Sequence, residues 1–64
     1  MNIQIIAQNL HDTIVGKELY LAEEKLKCKS NDPCVQRVAS VITKMLELNI
    51  DELKRILKDV EECK

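Results

Sequence analysis

The 64-residue sequence contains almost none of the residues that build turns and aromatic cores. It has one glycine, one proline and one aromatic residue, Tyr20, and it lacks phenylalanine and tryptophan. This scarcity excludes a turn-rich β-sandwich or barrel, which needs many such residues. Because 45% of the residues are hydrophobic and the formal net charge is only −1, composition also excludes disorder. The remaining aliphatic and charged residues predict a small all-helical domain.

The chain is equally poor in the groups from which active sites and metal centres are built. His11 is the only histidine and stands far from the nearest cysteine, Cys28. No phosphate-binding glycine loop and no Gly-Xaa-Ser-Xaa-Gly motif is present. We therefore expect no enzyme, no bound metal and no cofactor.

No stretch of the sequence predicts contact with a membrane. No apolar run approaches the ~18 residues of a membrane span. The first ten residues lack the basic segment and cleavage site of a secretory signal. With few cysteines as well, we expect a cytoplasmic protein in a reducing compartment.

Three cysteines, Cys28, Cys34 and Cys63, allow at most one internal disulfide. A bridge between Cys28 and Cys34 would close the turn described next. Free thiols near helix ends are the interpretation we favour, because a reducing compartment keeps thiols reduced.

One segment, Ser30-Asn31-Asp32-Pro33, interrupts the helical pattern. Proline disfavours a helical conformation at the residue before it, and Asp followed by Pro is a favoured helix start. The sequence thus predicts one domain, residues 1–64, with a helix over about 2–29, a turn at 30–33 and a helix over about 33–63. Two long helices joined by a tight turn form an antiparallel helical hairpin.

Apolar residues of the second helix recur every three or four positions and fall in one stripe, which predicts an amphipathic helix. Asn49 lies inside this stripe, and Asn49 to Glu52 also fits a capping box. A break there would give three helices, whereas an unbroken helix would carry a buried Asn that sets register at some cost in stability. We favour an unbroken or gently kinked helix because the stripe keeps its phase. Its members are Val35, Val38, Ala39, Ile42, Met45, Leu46, Ile50, Leu53, Ile56, Leu57 and Val60.

The first helix carries two apolar stripes that change over beside Gly16. Glycine weakens a helix interior by ~1 kcal/mol relative to alanine, so a kink, a break or a close helix approach is one interpretation. The other is a straight helix that buries two different faces along its length. The first stripe is Ile3, Ile6, Ala7, Leu10 and Ile14, and the second is Val15, Leu19, Ala22 and Leu26.

These apolar faces are wider than one hairpin can cover, and small domains often gain stability by association. We expect a protein–protein interaction module, such as a small regulator, adaptor or co-chaperone. It would complete a helical bundle with a second copy of itself or with another helical protein. The predicted interface residues are Ile3, Ile6, Leu10, Val41, Ile42, Leu46, Leu48, Leu53 and Ile56.

A basic cluster gives an alternative function. Lys25, Lys27 and Lys29 stand at the end of the first helix, with Arg37 across the turn. Doubled in a dimer, the cluster could contact RNA or DNA. Lysines also complement the dipole at a helix C-terminus, and the nearly neutral chain lacks an extended basic surface, so nucleic acid is the less favoured partner.

A remote alternative rests on a local similarity. Residues 42–47, Ile-Thr-Lys-Met-Leu-Glu, followed by Glu52-Leu53 and Ile56-Leu57, resemble the signature of the peptide-binding MLLE domains of poly(A)-binding proteins. Residues 16–20 resemble the segment that opens that domain. The resemblance covers about a third of the chain, the signature is one residue short before Glu52, and the two segments stand too far apart. It implies a peptide-binding function.

Overall fold

The computed structural model describes residues 2–63, which form two helices packed against each other as a hairpin. α1 spans Ile3–Lys27 and α2 spans Pro33–Glu62. The molecule is a rod of 48 × 14 × 13 Å. Among residues 2–63 there is no strand. The predicted all-α helical hairpin is confirmed.

Polar side chains fix the start of both helices. Asn2 precedes α1, and its Oδ1 accepts hydrogen bonds from the backbone N–H groups of Gln4 (3.0 Å) and Ile5 (3.3 Å). Asp32 precedes α2 and accepts a 2.9 Å bond from the N–H of Cys34, with Pro33 as the first helical residue. Each cap satisfies N–H groups that have no partner inside the helix. The second helix starts where the Asp-Pro pair predicts.

α2 continues without a break through Asn49. Leu46 and Ile50, on either side of Asn49, are both buried against α1, at 9% and 4% exposure. A break would move one of them out of the contact with α1. The unbroken helix is thus confirmed, and the three-helix alternative is wrong. Asn49 itself is exposed, so the expectation of a buried Asn is wrong.

α1 also passes through Gly16 without a break. A Cβ atom added to Gly16 would meet no atom within 4 Å, so no neighbouring helix approaches the backbone there. Neither the break nor the close approach exists. The continuous helix carries two apolar faces, of which α2 covers only the first.

The two helices pack against each other along one line of residues on each helix, which we call the seam. Successive seam residues are separated alternately by four and by three positions in the sequence. This is the heptad spacing of helices that pack side by side. Every member is buried or half-buried. The seam comprises Ile3, Ala7, Leu10, Ile14, Lys17, Leu21 and Glu24 of α1 and Ala39, Thr43, Leu46, Ile50, Leu53, Leu57 and Val60 of α2.

The seam is thin. Its buried apolar members are two alanines, Ala7 and Ala39, and three larger residues, Ile14, Leu46 and Ile50. Ala39 is only 1% exposed and lines one groove together with Glu24. A small side chain therefore occupies a deeply buried position near the turn.

We predict that Ala39→Leu destabilises the hairpin by about 1–3 kcal/mol, because the larger side chain overpacks a closed site. Ala22→Leu is the matched control, since Ala22 is an exposed alanine of α1 and should change stability by less than about 0.5 kcal/mol. Urea unfolding followed by circular dichroism measures both. Equal midpoints for the two variants would contradict the close packing at Ala39.

Candidate interaction surface

Most large hydrophobic side chains of the hairpin lie outside the seam. Among the described residues, eleven are between 38% and 70% exposed, whereas only Ile14, Leu46 and Ile50 are buried. Isolated exposed aliphatic residues are common on proteins, but contiguous ones mark interaction surfaces. The exposed set is Ile5, Val15, Leu19, Tyr20, Leu26, Val35, Val38, Val41, Met45, Leu48 and Ile56.

The predicted interface residues fall into three groups in the structure. Leu46 is buried in the seam, at 9% exposure. Five more are half-buried, in the seam or at its edge: Ile3, Ile6, Leu10, Ile42 and Leu53. Only Val41, Leu48 and Ile56 are freely exposed, at 55%, 70% and 42%. On α2, the predicted interface residues that remain exposed to a partner are therefore those that point away from α1.

Two shallow apolar grooves run beside the seam on the side of Ile42. Val35, Val38 and Ile42 line the groove nearer the turn. Ile42, Met45 and Asn49 line the next one. Because Ile42 borders both, the grooves form one continuous surface along the first half of α2.

Charge divides α2 into two halves. Residues 33–48 contain three charged side chains, Arg37, Lys44 and Glu47, whereas residues 49–62 contain eight. The exposed large aliphatic residues follow the opposite trend, since five of them are in the first half and only Ile56 is in the second: Val35, Val38, Val41, Met45 and Leu48. Sequence reasoning missed this division, although a count of charges along the helix would have revealed it. The apolar surface of α2 is therefore at its turn-proximal end.

The second stripe of α1 is exposed. Val15, Leu19 and Leu26 are 44%, 66% and 67% exposed, and Ala22 lies between them on the surface. α2 does not reach this face. Glu18, beside Leu19, pairs with Lys54 of α2 at 3.6 Å, and both side chains are about half exposed. An ion pair so exposed to solvent adds little stability.

A carboxylate occupies the seam near the turn. Glu24 is 3% exposed, and its Oε1 accepts a 3.0 Å hydrogen bond from Lys27 Nζ. Paired acids such as Glu23 and Glu24 are expected on solvated helix faces, which is wrong for Glu24. The missed signal was its spacing from Ile14, Lys17 and Leu21, which continues the seam.

The ion pair changes the titration of the lysine. The hydrogen bond to Glu24, together with the carboxylate's charge, raises the pKa of Lys27 above its ordinary value. Lys27 itself is 57% exposed. A half-exposed cation therefore compensates a buried anion, which would otherwise be costly to keep charged.

The predicted basic cluster lies around the turn. Lys25 and Lys27 occupy the last turn of α1, and Lys29 and Arg37 are exposed. Lys27 is engaged by Glu24, which reduces the charge available to a phosphate. Nucleic-acid binding by this cluster stays a prediction.

The potential chemical groups do not converge. All three cysteines are free, with Cys34 and Cys63 exposed and Cys28 half-buried. Cys28 Sγ lies 3.8 Å from Thr43 Oγ1 across the seam. His11 Nδ1 is 3.9 Å from Asp12 Oδ1, with both side chains more than 60% exposed. Residues 2–63 contain no group of three side chains placed to hold a metal ion.

Neither described helix has the length and apolar character needed to cross a membrane.

Comparisons of the chain with protein-family models, with curated proteins and with solved structures find no match.

We predict that Lys27→Met destabilises the hairpin because it leaves the buried Glu24 carboxylate without its cation. Glu24→Leu should be neutral or stabilising, and Glu24→Leu/Lys27→Met should recover the stability lost in the single lysine variant. Thermal unfolding at pH 7 measures all three. Glu23→Leu, at the exposed neighbouring position, is the control for adding a leucine. Equal losses in Lys27→Met and the double variant would show that the lysine acts independently of Glu24.

Proposed function

We propose that the protein is a non-enzymatic interaction module that completes a helical bundle with a second helical element. That element comes from another copy of the chain or from a different protein. The single observation that carries the proposal is the exposure of the large hydrophobic side chains. Among the described residues, eleven of them are exposed and only three are buried.

The geometry of a hairpin explains why a partner is needed. Two helices cover one face of each other, and here only three large side chains of the seam, Ile14, Leu46 and Ile50, are fully buried. A single core of fewer than ~70–80 residues rarely supplies more than about 3–5 kcal/mol, so association is a common source of further stability. Apolar surface on the outer faces of both helices supplies the area that association would bury.

The surface also fits association better than catalysis. The grooves along α2 are shallow and lined by aliphatic side chains such as Val38 and Met45. Cys34 also lines the groove nearer the turn, where Glu24 and Lys27 are paired with each other. An amphipathic helix from a partner would lay its apolar face along such a groove.

We predict that the melting temperature of the full chain rises with its concentration, by several degrees between about 1 and 100 μM, because association stabilises the folded state by mass action. Circular dichroism melts combined with sedimentation velocity measure the effect. Leu53→Asp, in the seam, should unfold the hairpin, whereas Leu48→Asp should leave it helical and weaken association.

Two other outcomes would contradict the proposed function. A monomer at every concentration, with a cooperative and concentration-independent melt, would show that the hairpin is sufficient by itself. Binding to RNA or DNA that weakens steeply with salt and with loss of Lys25, Lys27 and Lys29 would instead favour the nucleic-acid function.

A further inference from the structure

Six aliphatic residues in the first half of α2 form a surface, the α2 strip, that α1 leaves largely uncovered. Five of them are between 38% and 70% exposed, and Ile42 is half-buried. At 3.6 residues per turn, the centre of the strip lies roughly 110° around α2 from the side that holds Ala39, Leu46 and Ile50. A partner can therefore bind the strip without displacing α1. The strip consists of Val35, Val38, Val41, Ile42, Met45 and Leu48.

The edge of the strip nearest α1 carries basic side chains. Lys17 is half-buried and lines a groove together with Met45 and Asn49. Lys27 lines the groove nearer the turn and binds Glu24 at 3.0 Å. Because Lys27 and Glu24 compensate each other, Lys17 is the cation that this edge offers to a partner.

The opposite edge of the strip is also basic. Arg37 and Lys44 are exposed, and helical spacing places them roughly 90–110° from the centre of the strip, on the side away from α1. These places are close to the flanking positions from which charged residues pair across packed helices. Glu47, the only acid of residues 33–48, lies on the side of α2 opposite the strip. Both edges of the strip are therefore positive.

None of these three cations, Lys17, Arg37 and Lys44, pairs with an acidic side chain of the hairpin. A half-buried charge such as that of Lys17 is costly without a counter-charge, and a partner's carboxylate would supply one. Complementary charge thus favours an occupant whose apolar face is bordered by acidic residues. The ion pairs among residues 2–63 join other side chains: His11 with Asp12, Lys27 with Glu24, and Lys54 with Glu18.

The same charges disfavour a second copy of this chain on the strip. When two strips pack antiparallel, each edge meets its own counterpart, so Arg37 and Lys44 face the same residues of the other copy. When they pack parallel, the outer edge of one copy meets the edge of the other that carries Lys17. In either orientation like charges face each other, which is destabilising. Charge therefore selects an acidic partner over a second copy.

Shape and composition favour a helix over other anionic partners. Shallow grooves beside the strip accept the side-chain ridges of a packed helix, whereas a lipid surface is flat. The strip contains no aromatic residue. Aromatic residues commonly anchor helices at a membrane surface and stack on the bases of single-stranded nucleic acids.

We propose that the α2 strip binds an amphipathic helix of a different protein, whose apolar face is bordered on both sides by Asp or Glu. This inference rests on the proposed function and names the chemistry of the partner. Residues 35–48 span about 20 Å, which corresponds to roughly four turns of a partner helix. Glu52, on the same side of α2 about one turn beyond Leu48, would repel an acidic helix and so limits the contact at its distal end.

Two synthetic peptides test the charge of the partner. Both have about four helical turns and the same leucine stripe, which is bordered by Glu in one peptide and by Lys in the other. Fluorescence anisotropy of labelled peptides measures their binding to the full chain. We expect the Glu peptide to bind about tenfold more tightly, with an affinity that falls as salt rises.

The net charge of the chain makes this comparison stringent. Because that charge is −1, unspecific attraction would favour the Lys peptide. Equal binding of the two peptides, or tighter binding of the Lys peptide, would overturn the proposal.

A charge reversal tests the edge of the strip. Lys44→Glu should weaken binding of the Glu peptide about tenfold and strengthen binding of the Lys peptide. Lys58→Glu is the matched control, because Lys58 is exposed, lies two heptads after Lys44 on nearly the same side of α2, and is beyond the strip. It should change either affinity by less than about twofold. Equal effects of the two variants would show that the strip is not the site.

Two substitutions of equal exposure test the apolar contact. Met45 is 65% exposed on the strip, and Leu19 is 66% exposed on α1. Met45→Gln should weaken binding of the Glu peptide about tenfold, whereas Leu19→Gln should change it by less than about twofold. Circular dichroism verifies that every variant remains helical. Equal affinities of the Met45→Gln and Leu19→Gln variants would contradict docking on the strip.

Other anionic partners are distinguished with the same variants. Phosphatidylserine vesicles and a short oligouridine RNA replace the peptide in co-sedimentation and anisotropy measurements. If either binds more tightly than the Glu peptide, and Lys44→Glu abolishes that binding, the basic edges serve that anion and the proposal fails.

The outcomes also separate this inference from the proposed function. If the chain self-associates through Met45 and does not bind the Glu peptide, a second copy occupies the strip. The interaction module then stands, whereas the acidic partner is wrong. If the chain is monomeric at every concentration and binds neither peptide, both proposals fail.

Discussion

A pair of helices shares only one line of contact, and the remaining features of this protein depend on that geometric limit. Each helix can turn one face toward the other, whereas both α1 and α2 carry more than one apolar face. Heptad spacing selects the covered faces, which include Ile14 on α1 and Leu46 and Ile50 on α2. Apolar residues at any other position stay on the surface, however hydrophobic they are.

The composition of the seam strengthens this limit. Ala7 and Ala39 are buried, but their small side chains bury little area. One further buried position is occupied by Glu24, whose carboxylate needs Lys27 to compensate its charge. Such a pair contributes little net stability compared with an aliphatic residue of similar size. The seam therefore determines which faces of the two helices meet, but it adds little stability to their contact.

Stability and interaction are consequently linked in this fold. The turn-proximal half of α2 combines few charges with five exposed aliphatic residues, and the distal half is densely charged. Charges keep the distal half hydrated, while the proximal half offers apolar area that can be buried on association. The second stripe of α1, with Leu19 and Leu26, is a further exposed apolar face.

Local sequence signals determined the helices themselves. Asp32-Pro33 defined where α2 begins, because capping and the fixed φ of proline act within a few residues. The continuous stripe across Asn49 correctly outweighed a local capping signal. Only the tertiary structure decided which of the two stripes of α1 is covered, that Gly16 has no close neighbour, and that Glu24 is buried beside Ala39. These outcomes depend on the rotation and register of one helix against the other, which arise from the summed packing of both helices and from no single local pattern.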